Sequence, residues 1–186
     1  MPILNSDLET YLQALSDELL HKDQKYTLLI IGGAVIMGHY GFRASTHDVD
    51  CKLLGDSKDD DFYKAAEKVA RRFDLEPDWI NSAADQFGHI TEEVLKDLET
   101  WFAFEALQVF RPSTEALLAM KIEAARIRPD TFDVDDAANL LCQLGIKSLE
   151  GATGIWRKYY PDSRLDELVF RDKKQFLRQA FAKIPE

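Results

Sequence analysis

The period of the apolar positions changes several times along this chain, and each change marks an element. Leu8, Tyr11, Leu12, Leu15, Leu19 and Leu20 recur at helical spacing behind Asn5, Ser6 and Asp7, residue types that cap helices. Residues 27–31 form a short apolar run rich in branched side chains, the pattern of a strand buried on both faces. Gly32 and Gly33 stop it, because paired glycines admit positive φ and close approach by another group. Residues 34–40 leave room for two helical turns, which Gly41 is placed to end. A second strand is expected to start near Thr46 and to run through Asp48, Val49 and Asp50 to Leu53.

Further along, 55–61 is a turn with a charge run, whose acids suit the start of a helix. That helix covers 62–73, with Ala65, Ala66, Val69, Ala70 and Phe73 inward. Residues 86–88 read as a loop and 91–98 as a short helix capped by Thr91. The aromatic alternation of 100–110 fits one or two strands that close the sheet. Pro112 cannot continue a central strand, and Ser113 or Thr114 can cap the next helix. Helices are expected at 116–126, ended by Pro129, then from the acidic run 130–136 to Leu144 and Gly145, at 148–159 and at 165–182. The fold class is α/β (α+β): a small mixed sheet flanked by helices over 1–112, then a helical region, 113–186, packed on it.

Strand periodicity gives the carboxylates their meaning. Side chains at i and i+2 share a face, so Asp48 and Asp50 project together while Val49 turns into apolar packing. Two carboxylates on one face repel unless a cation lies between them. Mg²⁺ takes one or two carboxylates plus phosphate oxygens. Backbone amides after Gly32-Gly33 would offer an anion site facing the same pocket. This combination suits phosphoryl or nucleotidyl transfer.

The run Gly-Gly-x-Ala, a short helix, then Arg43, Thr46, Asp48 and Asp50 resembles the first motif of the DNA polymerase β nucleotidyltransferase superfamily. It is similar in particular to bacterial nucleotidyltransferase-like proteins, including type IV toxin–antitoxin toxins. A weaker likeness covers 111–141, including Lys121 and the acids Asp133, Asp135 and Asp136.

The resemblance implies nucleotide transfer from a nucleoside triphosphate to a protein or RNA acceptor, with Mg²⁺ or Mn²⁺ as cofactor and an antitoxin as partner in a toxin–antitoxin setting. Asp48 and Asp50 would hold metal. Gly32, Gly33, Arg43, Thr46 and Lys121 would contact the triphosphate, with Arg126 and Arg128 as alternates to Lys121. Glu105, the one acid inside the aromatic run, is the candidate third carboxylate. A Trp-Ile-Asn segment like 79–81 implies a short strand or turn. Ala34 stands where many members carry Ser, which removes one phosphate contact. The competing reading is therefore a catalytically degenerate binding or interaction module on the same fold.

Composition narrows the partners. The 186 residues are 46% hydrophobic, enough for a substantial core, and the formal net charge is −10. Such a chain has no diffuse attraction for nucleic acid. Cys51 and Cys142 lack metal-ligand spacing and read as buried thiols. The four histidines are dispersed, without zinc spacing. No leader segment and no membrane span is evident, so a cytoplasmic protein with no membrane partner is expected.

Overall fold

The computed structural model describes residues 2–20, 25–55, 59–82, 89–125, 132–161 and 167–184. Among them the chain divides into two compact units, 1–88 with 98–111, and 89–97 with 112–186. The turn at 56–58, the loop at 86–88, Arg126, Arg128 and Pro129 lie outside the described residues.

The first unit is built on strands β1 (Ile3–Leu4), β2 (Tyr26–Ile30), β3 (Ser45–Thr46), β4 (Val49–Leu54), β5 (Ile80–Asn81), β6 (Leu98–Ala103) and β7 (Leu107–Pro112). Five of them form a mixed sheet in the order β5-β4-β2-β7-β6. The central strand β2 runs antiparallel to β4 and parallel to β7. Its Leu28, Leu29 and Ile30 are fully buried, as the uninterrupted apolar run requires. The aromatic stretch before Pro112 makes two strands joined by a tight turn, where the Phe104 N–H donates to the Leu107 carbonyl.

The expected continuous strand from Thr46 to Leu53 is instead two strands. β3 pairs with β1, β4 pairs with β2, and the chain bends between them. The Thr46 hydroxyl fixes this bend by donating to the Asp48 carbonyl at 3.1 Å. β1 carries no sequence signal, since two residues cannot display a period. Its pairing also explains why helix α1 (Asn5–Leu19) starts without a side-chain cap. Leu4 occupies the cap position because it is held in β1, which leaves Asn5 and Ser6 inside the first turn.

Helix α2 (Gly32–Gly38) follows β2 directly, and Gly41 ends the segment at φ +69°, its N–H donating to the Met37 carbonyl. Helix α3 (Asp59–Phe73) buries Phe62, Ala65, Ala66, Val69 and Ala70. Tyr11 of α1 meets the rings of Phe73 and Trp79, while the Trp79 Nε1–H donates to the Ala66 carbonyl at 3.0 Å. These contacts seat β5 against α3.

The second unit holds α4 (Glu92–Leu95), α5 (Thr114–Glu123), α6 (Asp133–Leu144), α7 (Leu149–Tyr159) and α8 (Glu167–Ala182). Thr91, Ser113 and Ser148 cap three of these helices through their hydroxyls. Residues 89–97 sit with the helices because the Thr91 hydroxyl donates to the Tyr159 carbonyl and the Tyr160 hydroxyl to the His89 carbonyl. Cys51 is buried as expected, whereas Cys142 is exposed: it faces outward on α6, beside the buried Leu140 and Leu141. No helix among the described residues is long and apolar enough to cross a membrane.

Candidate functional site

The turn after β2 brings the paired glycines against the carboxylate strand. Gly32 has φ +65°, and a Cβ placed there would lie 3.2 Å from Asp50 Oδ2. The Ile31 N–H donates to the Asp50 carbonyl at 3.0 Å, which locks the turn to β4. A Cβ on Gly33 would lie 3.1 Å from both Arg43 Nη1 and Thr46 Oγ1. Positive φ favours glycine at 32, and a side chain at 32 or 33 would sit tightly against the side chains of Asp50, or of Arg43 and Thr46. Gly32, Gly33, Arg43, Thr46 and Asp50 are thus neighbours, although they come from separate elements of the chain.

Asp48 joins them through Asn81. In the parallel pair of β4 and β5, Asp50 is the register partner of Asn81, so their side chains share a face. The Asn81 amide reaches Asp48 Oδ2 at 3.4 Å and the Asp78 carbonyl at 3.3 Å. Asp48 therefore lies on the Asp50 face. Val49 between them is fully buried and donates its N–H to the Trp79 carbonyl at 2.7 Å. Asp48 is exposed and Asp50 half-buried, an arrangement that leaves both carboxylates accessible.

Glu105 does not join this group. It is exposed in the turn between β6 and β7, next to Ala106, whose carbonyl accepts from the Tyr26 N–H. Tyr26 begins β2, whereas Asp50 lies beyond its other end, beside Ile31. The length of β2 separates the two levels, roughly 16 Å at the usual rise. The reason is the parallel pairing of β7 with β2, which carries the turn before β7 to the start of β2. On β7 the row sharing the Asp50 face passes through Phe110, the partner of Leu29, and holds Gln108 and Pro112, none of them acidic. Near the same end of the sheet, Glu99 is engaged by Arg111.

Lys121 lies in the helical unit with its ammonium 2.9 Å from Asp133 and 2.8 Å from Asp136. Its side chain is 11% exposed and that of Asp136 only 2%. These contacts join α5 to α6. Sequence reasoning passed over two residues on the carboxylate face. Asn81 lacked a periodic signal. Lys52 did have one, since it stands two positions beyond Asp50 on β4 and pairs with Leu29.

Two carboxylates on one open face beside a glycine turn fit Mg²⁺, whose remaining positions go to water and phosphate oxygens. Among the described residues no three His, Cys, Asp or Glu side chains converge on a metal position. A fully protein-ligated cage is thus not formed by them.

Residues 7–171 match the model of a protein family described as nucleotidyltransferase of unknown function (DUF6036). The match spans most of the chain, and the chain belongs to that family. Searches of curated proteins and of solved structures returned no match.

Proposed function

We propose that this member of the nucleotidyltransferase family is a metal-dependent enzyme moving a nucleotide from a nucleoside triphosphate to a protein or RNA acceptor. The observation that carries the reading is the contact of the Gly32 turn with the Asp50 carboxylate, with Asp48 on the same face. Asp48 and Asp50 would hold Mg²⁺ or Mn²⁺. The ion, when bound, would neutralise phosphate charge and align the α-phosphate for in-line displacement. Backbone at Gly32-Gly33 approaches the phosphates closely, and Arg43 beside Gly33 offsets their charge. Thr46 sets the position of Asp48 through its carbonyl. Lys121 would reach phosphate only by leaving two carboxylates, so Arg43 and Lys52 are the cations this reading relies on.

Titration calorimetry with each Mg²⁺-triphosphate tests it. Asp48→Asn and Asp50→Asn should each weaken binding at least about tenfold, which corresponds to about 1.4 kcal/mol, while circular dichroism stays unchanged. Affinity equal to wild type in both variants would defeat the assignment.

Two observations favour the degenerate module as the second reading. Ala34 offers no hydroxyl, and Glu105 is at the far end of the sheet. Incubation with radiolabelled triphosphates, Mg²⁺ and cell extract separates the two. Metal-dependent label on protein or RNA supports the enzyme. Nucleotide binding without transfer supports the module, and a stable antitoxin complex on co-expression would place either in a toxin–antitoxin pair.

A further inference from the structure

The strand registers name the neighbours of Asp50 on its face of the sheet. Along the chain, Asp48 and Lys52 flank it at two positions either way. Toward β2 it meets Ile31, whose N–H donates to the Asp50 carbonyl, and then the Gly32 turn. Toward the edge strand β5 it meets its register partner Asn81, one interstrand spacing away, about 4.8 Å.

A second divalent ion about 3.5–4 Å from the first needs protein ligands of its own. Among these neighbours Lys52 is a cation, and the side chains of Ile31 and Gly32 hold no ligand atom. Asn81 is a neutral amide whose nitrogen, not its oxygen, is turned to Asp48. Among the described residues no third acid converges on the pair. We propose that this centre takes one divalent ion, and that Asn81 sets that number. It orients Asp48 as a ligand and, being an amide, withholds the third carboxylate that a second ion would use. The proposal rests on the nucleotidyl-transfer reading above.

Asp48 lies just before β4 begins and is exposed, so its side chain is held by what it touches. The Thr46 hydroxyl donates to its carbonyl at 3.1 Å, and the Asn81 amide reaches its Oδ2 at 3.4 Å. Asn81 is itself steadied by the Asp78 carbonyl at 3.3 Å, and β5 by the bond from the Val49 N–H to the Trp79 carbonyl. A carboxylate at 81 would face Asp48 with like charge across the same gap. A cation between the two relieves that repulsion. Asn81→Asp thus turns a hydrogen bond into a second cation position. Lys52, half-buried on this face, carries a fixed positive charge that needs no ion.

Mn²⁺ is the probe, with each α,β-methylene nucleoside triphosphate in turn, counted by electron paramagnetic resonance. Wild type should bind one ion per chain and show no magnetic coupling, whereas two ions about 3.5–4 Å apart couple. That count needs no variant to fold. Asn81→Asp should bind two ions as a coupled pair. Gln108→Glu adds the same charge on the same face of β7, across β2 from β4, and should stay at one. Asn81→Ala should keep one ion and weaken its binding about tenfold, the lower end for loss of a group that orients a metal ligand, with circular dichroism unchanged. A coupled pair in wild type, a single ion in Asn81→Asp, or wild-type affinity in Asn81→Ala overturns the proposal and leaves nucleotidyl transfer standing. Wild type that binds no Mn²⁺-triphosphate overturns both.

Discussion

Asp50 Oδ2 occupies the space a side chain at Gly32 would need, 3.2 Å from the position of its Cβ. Gly32 also has φ +65°, where an L side chain costs about 1–2 kcal/mol. Gly32→Ala should therefore lower stability in urea by about that amount and push the Asp50 carboxylate from its place. Gly33→Ala meets crowding from Arg43 and Thr46 but carries no positive-φ penalty. It should cost less stability while still weakening triphosphate binding. Equal stability losses in the two variants would refute the backbone argument at 32.

Thr46 tests whether the bend before β4 positions Asp48. Its hydroxyl donates to the Asp48 carbonyl at 3.1 Å and the residue is 8% exposed. Thr46→Val keeps the shape and removes the donor, for a loss of about 1 kcal/mol. Thr46→Ser should restore both stability and Mg²⁺-triphosphate affinity. A Val variant with wild-type affinity would show that the bend does not govern the carboxylate.

Much of this arrangement is legible in the sequence because it is local. The apolar run, the glycine pair and the i, i+2 carboxylates are short-range signals, and they foretell β2, the turn and the shared face of Asp48 and Asp50. Glu105 and Asn81 differ in kind. Whether a strand residue reaches the site depends on which end of its strand adjoins β2, and parallel or antiparallel pairing decides that. Residue spacing along 100–110 carries no such information, so an acid in the right element was placed at the wrong end. Asn81 enters only through its register with Asp50 across β4 and β5. Lys121 illustrates a further limit: helical periodicity shows a cation on α5 but not the two carboxylates of α6 that hold it.

That ion-pair arrangement makes its own prediction. Lys121→Met would leave Asp136, nearly fully buried, without its nearest cation. Loss of one partner from a buried pair costs about 3–5 kcal/mol. Lys121→Met with Asp136→Leu should recover much of that, since apolar replacement of both partners is often tolerated. Triphosphate affinity of the folded single variant should stay near wild type. A large fall in affinity with little loss of stability would return Lys121 to the phosphate site.

The junction of α4, α5 and α7 should respond to acid. The Tyr159 hydroxyl donates to Asp97, and the Ser113 hydroxyl donates to the same Oδ2 at 2.8 Å. The Tyr159 bond is the main cause holding the Asp97 carboxyl below its ordinary range. Burial opposes it, and Ser113 and the nearby Lys158 ammonium assist. A carboxylate depressed on folding contributes stability that is fully present above its unfolded pKa. That contribution is lost as pH falls through the lower folded value. The sensitive window therefore opens near the ordinary carboxylate pKa, about 4, and extends downward. Tyr159→Phe removes the largest cause, so the Asp97 pKa should rise towards the unfolded value. At neutral pH the variant should lose about 1 kcal/mol, the lower end for a bond to a charged group because Asp97 is 41% exposed. The gap between variant and wild type should narrow below about pH 4 as Asp97 takes up its proton in both. Urea denaturation across roughly pH 3 to 7 measures it. A gap that is constant with pH would mean that Tyr159 contributes through packing and not through its bond to the carboxylate.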